Sequence, residues 1–92
     1  MASSKEYLIY VLELLKEVKG ISYRKMMGEY ILYKDNIIFG GIYDNRFLIK
    51  KSEKLNQYIF KEVIPYPGAK SMYLVDIEDP DEIKNIIDTI AK

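Results

Sequence analysis

Three observations predict a two-layer α+β domain with a mainly antiparallel five-stranded sheet. An amphipathic stretch with helical spacing opens the chain, short runs rich in Ile, Tyr and Phe follow with gaps of two or three residues, and a second such amphipathic stretch closes it. Gaps that short admit hairpins but no crossover helix, so consecutive strands must run antiparallel. The predicted order is helix, four strands, helix, strand, helix, in a single domain over residues 1–92.

The elements follow from local chemistry. Ser3 and Glu6 have capping-box spacing, and Leu8, Val11, Leu12, Leu15 and Val18 then recur at helical intervals until Gly20, whose freedom at positive φ ends the helix. Strands are expected near 21–27, 30–34, 37–43 and 46–50, punctuated by Gly28-Glu29, Lys34-Asp35-Asn36 and Asp44-Asn45-Arg46. Ser52 can cap a second helix carrying Leu55, Ile59 and Val63 on one side and ending before Pro65. After a stiff Pro65-Tyr66-Pro67-Gly68 loop, residues 72–75 form the fifth strand. Asp79-Pro80-Asp81-Glu82 then supplies an N-cap, a first-turn proline and early acidic residues for a helix buried through Ile83, Ile86, Ile87 and Ile90. The helices should lie mostly on one face of the sheet. The other face retains Tyr, Phe and Ile, so it is either covered or a binding surface.

Composition narrows the function. The chain has no cysteine and no histidine, which removes disulfides, thiolate nucleophiles, most zinc sites and the usual neutral-pH general base. No phosphate-binding loop, dinucleotide fingerprint, nucleophile elbow or metal-ligand spacing occurs. The expectation is a protein that is not an enzyme, with no catalytic residues, no metal and no cofactor. Basic and acidic residues balance at fourteen each, so no global positive field draws in nucleic acid, and direct DNA binding is disfavoured. Lys50, Lys51 and Lys54 form a local basic cluster and residues 76–82 an acidic one, both read as solvated faces and helix-end chemistry. With no basic leader followed by an apolar core, and no run near the roughly 20 apolar residues that span a bilayer, a cytoplasmic location is expected.

Candidate site residues cluster at element junctions. Gly40-Gly41 inside a strand pattern marks a bulge or a close approach by another backbone. Arg24 and Lys25 precede the Gly28-Glu29-Tyr30 turn; if it nears Arg46 and the Gly68-Ala69-Lys70 loop, Arg24, Arg46 and Lys70 would face Glu29 as an anion or acidic-partner site. The simpler alternative is an Arg24–Glu29 ion pair across the turn. Nine tyrosines against three phenylalanines favour half-exposed surfaces. Tyr30, Tyr33, Tyr43 and Tyr73 could build a partner or self-association surface, or rim the core with hydroxyls in water.

Tyr23-Arg24, Met27-Gly28-Glu29-Tyr30, Gly40-Gly41-Ile42-Tyr43-Asp44 with Arg46-Phe47, and Pro67-Gly68-Ala69-Lys70 with Met72 together resemble the amino-terminal domain of the TfoX/Sxy family. The resemblance implies an antiparallel sheet with helices mostly on one side. It also implies kinship with bacterial regulators of competence for DNA uptake, which act with a transcription factor of the cyclic-AMP receptor type. Longer members carry a further helical domain, so a stand-alone first domain is expected; Ser71 stands where the family pattern has Pro. The family supplies no catalytic residues. Two functions remain open: a non-enzymatic protein-binding module with regulatory role, docking a transcription factor or its own copy through the sheet face and the Arg24–Glu29 turn, or a small-ligand or anion-binding domain built on Arg24, Arg46 and Lys70.

Overall fold

The computed structural model describes residues 2–91. Its elements are α1 (Lys5–Leu14), β1 (Ile21–Met26), β2 (Glu29–Lys34), β3 (Ile37–Ile42), β4 (Phe47–Ile49), a single 3₁₀ turn (Glu53–Leu55), β5 (Lys61–Val63), β6 (Met72–Leu74) and α2 (Pro80–Ile90). The sheet is antiparallel throughout, in the order β1-β2-β3-β4-β6-β5. The α+β class holds, with six strands rather than five.

Three two-residue turns set the register of the first four strands. Asp35 and Asn36, and Asp44 and Asn45, both sit at positive φ, the conformation a type I′ hairpin turn requires at its two central residues. Met27 and Gly28 do the same between β1 and β2, with φ of 53° and 84°. A bulge follows: Leu32 pairs with Gly40 but Tyr33 with Ile38, leaving Phe39 as the extra residue, and its ring is buried in the core. Gly40 lies beside that bulge, where a Cβ would come within 2.2 Å of the Leu48 carbonyl oxygen. Both readings of the glycine pair, bulge and close backbone approach, therefore apply at this point.

One apolar core joins the helices to a single face of the sheet. Leu8, Val11 and Leu15 from α1 and Ile83, Ile86 and Ile87 from α2 pack with Leu32, Phe39, Ile42, Phe47 and Ile49. At roughly 1.5–3 kcal/mol for each fully buried aliphatic or Phe side chain, this cluster is the main term holding two layers together. The α2 start is as expected: Asp79 caps the Asp81 amide at 3.0 Å and Pro80 occupies the first turn. At α1 the cap is Ser4, not Ser3, its hydroxyl accepting from the Tyr7 amide at 3.1 Å. The helix stops at Leu14, and i to i+3 bonds, Lys16 to Glu13 and Val18 to Leu15, tighten the chain before Gly20 turns at φ +80°.

The helix expected over 52–64 does not form. Ser52 does cap a turn, but it lasts three residues, and the chain then extends into β5 at the sheet edge. Tyr58, Ile59, Phe60, Val63 and Ile64 are aromatic or β-branched and favour extended backbone. The Phe60 ring stacks on Tyr73 at 5.0 Å, while Ile59 points fully into solvent, the opposite of a core position.

The face away from the helices carries a different row. Register places Arg24, Ile31, Gly41, Leu48 and Leu74 side by side across β1, β2, β3, β4 and β6. The segment 64–71 crosses this back face, with Pro65 buried. Its Tyr66-Pro67-Gly68-Ala69 turn closes through the Ala69 amide to the Tyr66 carbonyl at 3.1 Å, with proline second and glycine third at φ +88°, as a type II turn demands.

Candidate functional site

Two turns and the start of α1 meet at one corner, held by polar bonds. The Glu29 carboxylate accepts from the Ser3 hydroxyl at 2.6 Å and from the Asp44 amide at 3.1 Å. The Ser3 hydroxyl in turn accepts from the Asn45 amide at 3.0 Å, and the Asn45 side-chain oxygen accepts from the Ser4 amide at 2.8 Å. The Ser3 amide donates to the Gly28 carbonyl at 3.0 Å. Ser3, buried and drawn into this network, is unavailable as the helix cap, which explains the shift to Ser4.

Arg46 ties a third segment to the same corner. Its Nε donates to the Tyr43 carbonyl at 3.1 Å, and its guanidinium reaches the Pro65 carbonyl at 3.3 Å and the Ile64 carbonyl at 3.5 Å. Arg46 thus clamps segment 64–71 onto the β3–β4 hairpin, a task its forked donors suit. The Tyr43 and Tyr66 rings lie 6.1 Å apart above that clamp. Gly41 makes room for the Tyr43 ring, since a Cβ there would meet ring carbon Cε2 at 2.7 Å. Burial pushes the Tyr43 phenol above its ordinary pKa, and Tyr66 and the Glu29 carboxylate add to the push.

Beside this corner the back face opens into two adjoining hollows that share Tyr43 and Tyr66. The first, about 660 Å³, is walled by Ala2, Met26, Met27, Glu29 and Ile31. The second, about 810 Å³, is walled by Ile38, Lys50, Lys51, Pro65, Lys70 and Met72. Met27 is 97% exposed and Met26 52%. The groove is apolar along its floor, with three lysines at one end.

Several sequence candidates fall elsewhere than expected. Arg24 sits opposite Ile31 on the back face and Lys25 opposite Tyr30, so the two cations diverge to opposite faces of the edge strand. Among the described residues no ion pair joins Arg24 to Glu29, whose oxygens take Ser3 and Asp44 instead. Arg46 is bonded to carbonyls, while Lys70 lines the hollow with Lys50 and Lys51, which neither Arg24 nor Arg46 lines. Tyr30 is buried in the core and Tyr73 packs against it, leaving Tyr33 and Tyr43 of the four tyrosines for the other side. Sequence reasoning missed Met26, Met27, Ile31 and Tyr66 as groove residues. The available signal was Met27 before Gly28, in a turn position where Asn or Asp is usual.

The model of the family described as TfoX N-terminal domain matches residues 13–87. The chain belongs to that family. Its Gly28-Glu29, Gly40-Gly41 and Asp44-Asn45-Arg46 strings are, in this TfoX N-terminal domain, the residues that build the corner and its hairpins. A similar protein from Spirochaeta aurantia, titled an uncharacterized 12.7 kDa protein in the trpE 5′ region, is 28% identical over 95 residues, covering 99% of this chain and 83% of that protein. Among the described residues no helix is long and apolar enough to cross a membrane, and no group of three or more acidic side chains is placed to hold a metal ion.

Proposed function

We propose that this TfoX N-terminal domain is a non-enzymatic protein-binding module that docks a regulatory partner, a transcription factor, through the back-face groove. The observation that carries the reading is Met27. It holds φ of 53° in a type I′ turn and leaves its whole side chain in water. Left-handed backbone costs an ordinary residue about 1–2 kcal/mol, and asparagine far less. A strained, exposed methionine gains nothing for the fold, and a broken local rule without compensation points to function. Methionine is also the side chain best able to adapt to a partner's surface.

Other features support the reading. The neighbouring Met26 and Tyr66 extend the exposed apolar surface, of the kind that marks interaction sites. The groove's own carboxylate, Glu29, already accepts hydrogen bonds from Ser3 and Asp44, which leaves it poorly placed for acid–base chemistry. An anion site on Arg24, Arg46 and Lys70 is less well supported, because Arg46 is committed to backbone carbonyls. The regulatory role and competence as its setting rest on family membership.

A photo-cross-linking residue at position 66, expressed in the source cells, tests the reading. Discrete protein adducts are expected from position 66 and none from the same residue at Glu17, which is exposed after α1. Identical adducts from both positions, or none from position 66, would overturn it.

A further inference from the structure

The two hollows differ in chemistry, and the difference has a direction. At one end Met26, Met27 and Ile31 present apolar walls beside the Glu29 carboxylate, and Asp44 stands at the adjacent turn. At the other end Lys50, Lys51 and Lys70 surround a floor of Ile38, Pro65 and Met72. Lys51 is paired with Glu62 at 3.0 Å, whereas Lys50 and Lys70 make no ion pair among the described residues. Tyr43 and Tyr66 sit at the junction, each offering an apolar ring with a polar tip. Arg46 and the turn at Gly68 hold the outer wall in place.

We infer that the groove takes an extended partner segment of fixed polarity, its apolar side chains seated against Met26, Met27 and Ile31 and its carboxylates at Lys50 and Lys70. This rests on the docking reading above and adds the chemistry and orientation of the occupant. Charge complementarity selects it. In the reversed segment the carboxylates would face Glu29 at the Met27 end, and the apolar side chains would meet two lysines left without a counter-charge at the other, so reversal is disfavoured at both ends. A second copy fits less well, since no stretch of this chain among the described residues joins an exposed apolar run to an exposed acidic one in extended form: exposed Asp76 and Glu78 follow buried Val75, and Asp79, Asp81 and Glu82 cap and open α2.

Selection of a displayed random peptide library on the intact protein tests this. Enriched peptides should carry an apolar cluster next to an acidic run. Their binding should weaken about tenfold in Lys50→Glu/Lys70→Glu, fall on Met27→Asp, and weaken with added salt. Both lysines are exposed, so the double variant should keep its melting temperature, which is measured alongside. Enriched peptides without acidic residues that are indifferent to the lysine changes but sensitive to Met27→Asp would overturn the polarity and leave the docking reading standing. Peptides indifferent to every groove change, or no enrichment at all, would overturn both.

Discussion

A methyl group added at Gly40, Gly41 or Gly68 would meet a different fate at each, and that difference ranks the three. At Gly40 it would press on the backbone of β4, which cannot move without opening the sheet. At Gly41 it would meet both the Tyr30 carbonyl oxygen of β2 and the Tyr43 ring at 2.7 Å, so the ring can give way but the carbonyl clash, milder than the 2.2 Å approach at Gly40, stays. At Gly68 nothing lies within 4 Å, and the penalty is only that of alanine at φ +88°. Urea unfolding should therefore rank the alanine variants. Gly68→Ala should lose about 1 kcal/mol, Gly41→Ala about 1–3 kcal/mol, and Gly40→Ala most of the stability. Equal losses at Gly40 and Gly68 would contradict the close approach. That Gly40 required such an approach was legible in the sequence, because paired glycines in an apolar strand leave few other physical reasons. The partner of Glu29 was not legible. Ser3 is 26 residues away along the chain, and only the folded hairpins bring it near.

Among the elements, β5 departs most from sequence expectation, and it is a three-residue edge strand paired only with β6. A cap at Ser52 and apolar residues at Leu55, Ile59 and Val63 satisfy a helical pattern over three turns. The same residues satisfy a strand once aromatic and β-branched side chains are weighed, and the stacking of Phe60 on Tyr73 decides the contest. Beyond its ladder with β6, this edge strand is tied by Glu62, which accepts from Lys51 at 3.0 Å and from the Ser71 hydroxyl at 2.9 Å. The Lys51 bond, then the Ser71 bond, then the Lys51 charge hold the Glu62 carboxyl below its ordinary pKa. A depressed folded pKa means the tie is fully present above the unfolded value and is lost as pH falls through the folded one. Amide exchange in β5, corrected for its intrinsic pH dependence, should show protection falling in the acid range, and Glu62→Gln should flatten that dependence. Unchanged pH dependence in the variant would remove Glu62 from the account. The hairpins and α2, by contrast, were legible because each boundary has local chemistry: Asp35-Asn36, Asp44-Asn45 and Asp79-Pro80.

At the scale of the whole molecule, the strings that identify the family supply both a structural frame and, through Met27, Tyr43, Lys70 and Met72, part of the groove standing on it. Gly28, Glu29, Asp44, Asn45 and Arg46 converge from separate hairpins to fix α1, segment 64–71 and the sheet against one another. Met26, Met27, Tyr66, Lys50 and Lys70 stand on that frame and face outward. Sequence reading reached the frame through its turns and glycines, and offered as the site the tyrosine-bearing sheet face with the Arg24–Glu29 turn, or a charged group of Arg24, Arg46 and Lys70. The groove's full lining escaped it because the walls come from β1, β2, β3, the two lysines just past β4 and a loop that crosses the sheet only after folding.

Urea unfolding and quantitative capture of partners from source cells, measured on the same Met27→Asn protein, decide whether the exposed methionine serves docking. Asparagine relieves the left-handed strain and removes the exposed thioether. A gain of about 0.5–1 kcal/mol is expected together with loss of the partners that cross-link at position 66. A variant that gains stability and captures the same partners in the same amounts would show that Met27 has no part in docking, and would contradict the account.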